Sequence, residues 1–575
     1  MEKAGKRPNF LVIVADDLGF SDCSCFGSEI QTPNIDRLAS KGLRFTDFHV
    51  AGACSPTRSM LMTGTDHHIA GLGQLSEYTR NSPAHQGKPG HEGYLNDKVV
   101  TLPQLLKDGG YFTVMSGKWH LGLKPEYSPH ARGFEKSYAL LPGCANHYGF
   151  EPQYNDHLPG FFETAVTALH MENSTYVPQN PPEPNFYSSD FYASKLISYL
   201  ETRTPDEKSK PFFAYLPFSA PHWPLQAPEA SVKKYEGFYE DGPDALRPRR
   251  LERLKALGLV SSDVHPHPIV APESAEWNSM TPDARAKSAR SMEVYAGMVD
   301  RMDENIGRVL SSLEASGEAE NTYILFMSDN GAEGASIEAH PIMGDEVMSH
   351  LEKYYDNSLD NIGRYNSFVW YGTRWAQAAT APCRLYKMFS TEGGVRVPLV
   401  LKTPGEGKEN SEISHEFCTV MDLVPTILDL AGVKHPGTSY NGKPIAPLRG
   451  KSMTAYLSSR EQIHSKDEVS GWEIAGSGAI RKGKYKITYV PAPKGPQRWE
   501  LFDLESDPGE TKDLSQGLPE VMKEMLGYWK KYKKEVGVVG LAGELGDVPL
   551  MVDEFEDTGK WTRFLAKGSI PIACI

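Results

Sequence analysis

Apolar residues along the chain fall into short dense runs separated by longer stretches of mixed character. Residues 10–15, 112–115, 212–216, 323–327 and 397–401 are four to six residues long. Runs of that length with turn signals on either side predict strands buried on both faces. Between them lie segments of helical period. The clearest covers 288–313, where Met292, Tyr295, Val299, Met302, Ile306, Val309 and Leu313 recur at steps of three and four and mark one buried stripe. A shorter helix starts at Thr32-Pro33, an N-cap residue followed by proline at the first helical position, and stops near Gly42. Another covers 421–431, with Gly432 beyond its end.

Strand runs alternating with helices predict an α/β fold: a large mixed, mainly parallel sheet with helices on both faces, over residues 1–450. The character then changes. Residues 479–490 and 499–504 read as short strands with polar interruptions, and 519–536 as a Lys-rich amphipathic helix. This predicts a smaller C-terminal subdomain over 451–575, with an antiparallel sheet, a helix and a tail. The Pro- and Gly-rich stretches 178–185 and 241–248 read as loops. Residues 333–382 show no period, and a segment of that length in a compact protein is usually functional.

Composition narrows the class. Sixty Lys and Arg against 74 Asp and Glu leave a net charge of −14, which excludes a broad nucleic-acid or anionic-membrane surface while allowing a local basic pocket. No run approaches the ~20 apolar residues of a membrane span. The first apolar stretch meets Asp16 and Asp17 at once, too short for a signal peptide. Seven cysteines, at 23, 25, 54, 144, 383, 418 and 574, are too scattered for a disulfide framework. The expectation is a soluble cytoplasmic protein, or a secreted one if a leader has been cleaved.

Polar clusters follow four of the strand runs: Asp16-Asp17, Lys118 with His120, His222, and Asp329-Asn330. Ligands of open α/β sheets bind outside the carboxyl ends of the strands, so parallel neighbours would bring these clusters to one edge. Asp16, Asp17, Asp329 and Asn330 offer oxygen donors only, which suits Ca2+ or Mg2+ and not zinc or copper. The alternative is that each pair merely caps a turn. Cys54 precedes Pro56 at the start of a helix that runs to Thr63, with Gly64 at its end. A thiol so placed is either a low-pKa nucleophile or a buried structural group.

Five ordered stretches carry a resemblance. They are Pro8-Asn9-Phe-Leu-Val-Ile-Val-Ala-Asp16-Asp17-Leu-Gly19, Cys54-Ser-Pro-Thr-Arg58-Ser-Met-Leu-Met-Thr63-Gly64, Gly110-Tyr-Phe-Thr-Val-Met-Ser-Gly117-Lys118-Trp119-His120, Leu325-Phe-Met-Ser-Asp329-Asn330-Gly331, and Glu500-Leu-Phe-Asp-Leu-Glu-Ser-Asp507-Pro508. Together they resemble the type I sulfatases, the formylglycine-dependent branch of the alkaline phosphatase superfamily, from about residue 8 to 535. Thr65-Asp66-His67-His68-Ile-Ala-Gly71-Leu-Gly73 and the stretch 290–310 are most similar to bacterial-type arylsulfatases.

The resemblance implies that Cys54 is oxidised by a maturation enzyme to Cα-formylglycine, whose hydrate attacks the sulfur of a small-molecule sulfate ester. It implies one Ca2+ held by Asp16, Asp17, Asp329 and Asn330. It implies that Arg58 anchors the hydrate and balances the carboxylates, and that Lys118 contacts hydrate and sulfate. His120 would be the base for sulfate elimination, and His222 with Lys387 would bind sulfate and support the leaving oxygen. Met388 departs from the family pattern, where many relatives have glycine. His67 and His68 read as structural or supporting groups. Trp370, Tyr371, Trp375 and Tyr386 read equally as pocket wall or as core. Three functions stay open: an arylsulfatase; an alkyl sulfatase or a phosphonate monoester or phosphodiester hydrolase on the same scaffold; and a silent binding protein in which Cys54 stays a thiol. Oligomeric state and the role of 537–575 are open as well.

Overall fold

The structure, a computed structural model, describes residues 7–152, 170–177, 183–334, 351–405 and 411–540. Ten strands form one sheet: β1 (Asn9–Ala15), β2 (Leu43–Phe45), β3 (Phe112–Lys118), β4 (Lys136–Leu140), β5 (His170–Glu172), β6 (Thr175–Val177), β7 (Phe212–Pro217), β8 (Thr322–Ser328), β9 (Leu399–Lys402) and β10 (Glu412–Ser414). Their order across the sheet is β10-β2-β9-β8-β1-β7-β3-β4-β5-β6. The central run β8-β1-β7-β3-β4 is parallel, with Val12 level with Leu325 on one side and Tyr215 on the other. Strand β9 runs antiparallel between β2 and β8, and β5 and β6 are antiparallel at the far edge, so the sheet is mixed and mainly parallel at its centre.

Alternation along the central strands divides the interior into two cores, because successive side chains point to opposite faces. Leu11, Ile13, Ala214, Leu216, Ile324 and Phe326 belong to one. Phe10, Val12, Phe213, Tyr215, Leu325 and Met327 belong to the other. The first core is closed by helices Pro33–Ser40, Ser188–Glu201, Pro243–Ala256, Pro282–Ala315 and Thr373–Ala379. The second is closed by Cys54–Thr63, Leu102–Asp108 and Leu423–Ala431. A strand buried on both faces has no polar side to display, which is why these runs are continuously apolar.

Three expectations before residue 450 need correction. The stretch 241–248 is not wholly loop: Gly242 takes φ 84° and Pro243 opens a helix to Ala256 with Pro248 inside it. The helix survives because tertiary contacts outweigh the lost hydrogen bond: Arg247 donates to the carbonyls of Pro382 and Cys383, and Arg250 pairs with Asp22 and Glu29. The long helix begins at Pro282, six residues before the apolar stripe, because Thr281 caps it by accepting from the Ala284 amide. Within 333–382, residues 373–379 are helical, and 335–350 lie outside the described residues. The tail beyond 540 and most of 178–185 lie outside them too.

After residue 450 the chain builds a four-stranded antiparallel meander, β11 (Val469–Ile474), β12 (Ser477–Lys482), β13 (Tyr485–Tyr489) and β14 (Trp499–Asp503), in that order. Helix Pro519–Val536 covers it through Met525, Trp529, Tyr532 and Val536. The expected strand at 479–490 is thus a hairpin turning at Gly483, where φ is 55°. No helix among the described residues is long and apolar enough to cross a membrane, and the six described cysteines are all free.

The small sheet is joined to the large one by buried charge. His68 shares Nδ1 with Asp66 at 2.9 Å and Nε2 with Glu473 of β11 at 3.0 Å. Tyr532 donates to the other oxygen of Asp66, and Gln74 donates to Glu473. Burial alone would push His68 down, but bonds from both carboxylates raise it to about 9. Its neighbour His67 is held down to about 4 by burial and by the His68 charge, so one imidazole of the pair carries the proton.

Removing one partner of a buried ion pair costs about 3–5 kcal/mol. Glu473→Ala should therefore lower stability by about that much in urea unfolding at neutral pH. Because His68 titrates above the ordinary value of 6.5, its contribution is complete below that pH and is lost as pH rises through about 9. The melting temperature of the parent should exceed that of His68→Gln most at pH ~6, and the gap should close by pH ~10. A gap that stays constant would refute the assignment of charge to His68.

Candidate active site

Four adjacent parallel strands deliver their carboxyl ends to one place, as the sequence expectation required. Asp16 and Asp17 follow β1, Lys118 ends β3, His222 follows β7, and Asp329 and Asn330 follow β8. Backbone bonds continue the sheet past the last strand residues: the Asp16 amide donates to the Ala220 carbonyl, and the Asp329 amide to the Ala15 carbonyl. The chain then breaks sharply. Asp17 sits at φ 70°, a left-handed conformation uncommon for a residue with a side chain, and its amide donates to Asp329 Oδ1 at 3.2 Å.

Cys54 enters this edge from above. It opens the ten-residue helix Cys54–Thr63, which ends at Gly64 with φ 66°. The Thr57 hydroxyl ties back to residue 51, accepting from its amide and donating to its carbonyl, and so fixes the approach of the chain. Cys54 and Arg58 lie one helical turn apart on the same face. The Arg58 guanidinium is fully buried. Its Nη2 lies 2.7 Å from Asp329 Oδ2 and 3.6 Å from Asp16 Oδ1, and its Nη1 donates to the Lys118 carbonyl at 2.9 Å. Those carboxylates raise its pKa further against the pull of burial, so it stays charged.

The other cations are paired just as closely. Lys118 Nζ lies 2.5 Å from Asp16 Oδ2. Lys387 Nζ lies 3.0 Å from Asp17 Oδ2, 2.9 Å from Glu333 Oε2 and 3.4 Å from His222 Nε2. His222 Nδ1 sits 2.6 Å from the Trp223 carbonyl, which accepts its N–H and leaves Nε2 bare. Burial and the Lys387 and Lys118 charges hold His222 well below its ordinary value, so it is neutral and accepts from Lys387. His120 Nδ1 stands 3.3 Å from Cys54 Sγ. Burial would raise the Cys54 thiol, but Lys118, His120 and Lys387 together pull it down to about 7. All ten residues singled out in the sequence therefore converge on one buried pocket.

The oxygen donors fit a hard divalent cation. Asp16 Oδ1 and Asn330 Oδ1 are buried without a hydrogen-bond partner among the described residues, and ligand atoms of Asp16, Cys54 and Asp329 lie within 4.8 Å of one another. Burial pushes Asp16 well above the carboxylate range, with Asp329 and Asp17 adding to it and Lys118 and Arg58 opposing. A cluster of carboxylates and an amide oxygen with unused lone pairs is the chemistry that Ca2+ or Mg2+ satisfies.

The structure adds residues that the sequence did not single out. Glu333 holds Lys387, and its only sequence signal was its place four residues beyond Asp329 in a segment without period. His147 Nε2 lies 2.9 Å from the His222 carbonyl, and no motif pointed to it. Met388 takes φ 70°, which explains why glycine suits this position elsewhere, and its amide donates to the Gly52 carbonyl at 2.7 Å. Of the four aromatics left open, all are buried; Trp375 donates to Ser288, and Tyr371 stacks on Tyr295 with ring centroids 4.7 Å apart, so these two are core.

Cationic groups and a buried thiol gathered over a carboxylate cluster, at the carboxyl edge of a mixed, mainly parallel sheet, define an α/β protein of the alkaline phosphatase-like fold with a site suited to an anion. Comparison with known proteins sharpens this. The Sulfatase family model matches residues 8–433, and the model for the C-terminal part of N-sulphoglucosamine sulphohydrolase matches 384–534. The chain is 51% identical to an uncharacterised sulfatase of Schizosaccharomyces pombe over 93% of its own length and 95% of that protein. It is 38% identical to the arylsulfatase of Klebsiella aerogenes over 78% of its length and 92% of that protein. The crystal structure of Ps i-CgsB with k-i-k-neocarrahexaose superposes with a TM-score of 0.64 at 24% identity, covering 98% of each chain, and shares the fold. The chain belongs to the sulfatase family, whose members hydrolyse sulfate esters.

Arg58 is the group whose loss the pocket tolerates least, because it alone touches Asp16, Asp329 and the β3 backbone. In calcium-free buffer, Arg58→Ala should cost about 3–5 kcal/mol. Arg58→Lys should fall between it and the parent, since lysine keeps the charge and lacks the planar fork. Urea midpoints of the two variants measure this, and an alanine variant within 1 kcal/mol of the parent would contradict it.

Proposed function

We propose that the chain is an arylsulfatase that uses the hydrated formylglycine made from Cys54, with Ca2+ held by Asp16, Asp17, Asp329 and Asn330. The observation that carries this reading is the convergence of Cys54, His120, Lys118, Lys387 and His222 on one point at the metal-type cluster. The 38% identical arylsulfatase supports the aryl preference. Formation of the aldehyde needs a maturation enzyme, which acts on Cys54 outside this chain's own chemistry.

Bound Ca2+ would polarise the sulfate oxygens as a Lewis acid. Lys118 and Lys387 supply fixed positive charge for the ester's negative charge and for the charge that grows on the leaving oxygen. Neutral His222 accepts a hydrogen bond from Lys387 along their 3.4 Å contact and so orients the ammonium, whose one transferable proton goes to the leaving oxygen. One hydroxyl of the residue-54 hydrate forms a bond to sulfur as its proton passes to the Asp329 carboxylate, within 4.8 Å of the residue-54 side-chain atom, and the S–O bond to the phenol breaks with its electron pair, the phenolate oxygen taking its proton from Lys387. The product is a sulfated hydrate on residue 54. His120, 3.3 Å from Sγ in the unmodified side chain, then takes the proton of the remaining hydroxyl. The O–H pair closes the aldehyde C=O, and sulfate leaves with the electrons of the C–O bond. Splitting the reaction replaces one hard displacement with two easier steps.

Mass spectrometry of the Cys54 peptide from the native host should show the aldehyde or its hydrate; an unmodified thiol would favour a silent binding protein. Cys54→Ala should abolish turnover with the fold intact. His120→Ala should release about one equivalent of phenol and stall, and steady turnover at the parent rate would refute its role. Relative kcat/KM on aryl sulfate, alkyl sulfate and phosphonate monoester tests the substrate class, and aryl sulfate should rank first. Chelation should lower the melting temperature and calcium restore it, by ~2.7 kcal/mol of stability at a hundred times Kd.

A further inference from the structure

His120 is held more tightly than a base needs to be if only its Nδ1 matters. Its backbone sits at φ 57°. Gly143 lies flat against the ring, since a Cβ there would meet Cε1 at 2.8 Å and Nε2 at 2.9 Å. The far nitrogen, Nε2, is buried and makes no bond of hydrogen-bond length among the described residues. The charged group that faces it is Glu77, whose Oε1 lies 3.6 Å away. Contacts of this kind are often long before substrate binds and tighten in the reacting complex.

We propose that Glu77 is the positioning residue for His120. It takes the Nε2–H, which leaves Nδ1 unprotonated toward residue 54, and it balances the imidazolium that forms when Nδ1 accepts the hydroxyl proton. This rests on the nucleophile reading above. A neutral imidazole carries one proton, and the partner of one nitrogen decides which nitrogen carries it. Without Glu77 the buried Nε2–H has no acceptor among the described residues. The Nδ1–H tautomer then competes, and a donor faces the hydroxyl that must give up its proton.

Glu77 is in turn placed by the C-terminal sheet. It lies in the short helix Ser76–Asn81, three residues beyond Gln74. Gln74 Nε2 donates to Glu473 at 2.9 Å, and Gln74 Oε1 accepts from the Ala475 amide at 2.9 Å. The turn between β11 and β12 thus holds the segment that carries Glu77.

Presteady-state kinetics of Glu77→Ala, Glu77→Gln and Glu77→Asp on an aryl sulfate test the proposal. If Glu77 acts only on the second half-reaction, Glu77→Ala keeps the phenol burst and loses about 10–100-fold in kcat, part of the ~10²–10⁴ that a positioned base supplies. KM should fall with kcat, so kcat/KM holds, and the sulfated residue-54 peptide should accumulate in quenched samples. Glu77→Gln, whose amide oxygen still accepts Nε2–H, should recover part of the loss, and Glu77→Asp should do so according to its reach. An alanine variant with parent kcat overturns the proposal. So does one that loses kcat/KM as much as kcat and shows no sulfated peptide. The peptide mass of the parent separates the two claims: a thiol at Cys54 defeats the nucleophile reading and this one with it, whereas an aldehyde with an unaffected Glu77→Ala defeats this one alone.

Discussion

Charge compensation in a buried pocket is the constraint on which the rest of the molecule depends. Asp16, Asp17, Asp329 and Glu333 face Arg58, Lys118 and Lys387, and all seven are buried. With every carboxylate ionised, four against three permanent cations would leave one negative charge in excess, and burial pushes Asp16 against carrying its share. A bound divalent cation would turn that excess into one positive charge, the complement of a sulfate monoester. Charges this deeply buried cannot be left unpaired. Each side chain is therefore held by another element of the fold, and the pocket forms only when β1, β3, β8, the Cys54 helix and the Lys387 segment are all in place. The −14 of the whole chain does not enter, because the pocket's own balance is local.

Backbone strain is present at the same edge. Asp17, His120 and Met388 all occupy the left-handed region, where a side chain costs of order 1–3 kcal/mol. The parallel sheet makes this affordable: strands buried on both faces and bonded to neighbours on both sides do not yield when the residue beyond them is bent. Asp17 turns back to meet Lys387, and His120 turns back to meet Cys54. In each case a chain leaving a strand is folded sharply so that a functional group returns over the carboxyl end. A gentler exit would carry the same side chains out into solvent.

Much of this was legible in the sequence, for physical reasons that also explain what was not. Strands buried on both faces must be continuously apolar, so β1, β3, β7 and β8 announced themselves, and a chemical group directly after such a run has to lie at the sheet's edge. The Cys54 helix was readable from Pro56 and Gly64, which mark its two ends. Glu333 and His147 were not readable, because their roles depend on which segment the fold brings opposite them. The helix at 243–256 was hidden by Gly242, Pro243 and Pro248, whose local preference for a turn is overruled by Arg247 and Arg250 reaching distant partners. His68 looked like a supporting group and is one. That its partner is Glu473, some four hundred residues away, is a property of the assembled chain.

The C-terminal sheet is best understood as one wall of the pocket rather than as an attachment to it. Trp472 of β11 donates to the Val50 carbonyl, on the approach to Cys54. Ser477 of β12 accepts two bonds from Ser390, three residues beyond Lys387. Lys486 of β13 lies 2.7 Å from Glu392 and 3.0 Å from Glu510 in a fully buried group, and Arg384 meets Glu500 of β14. Every strand of the small sheet therefore touches a segment that carries or flanks a group in the pocket. Lys387 lies between Arg384 and Glu392, so its segment is clamped from both sides by residues 116 and 94 positions later. A lysine side chain is long and conformationally free, and holding its ammonium between Asp17, Glu333 and His222 requires that the backbone beneath it not move. The small sheet provides that support, which is why the pocket's geometry extends to the far end of the described chain.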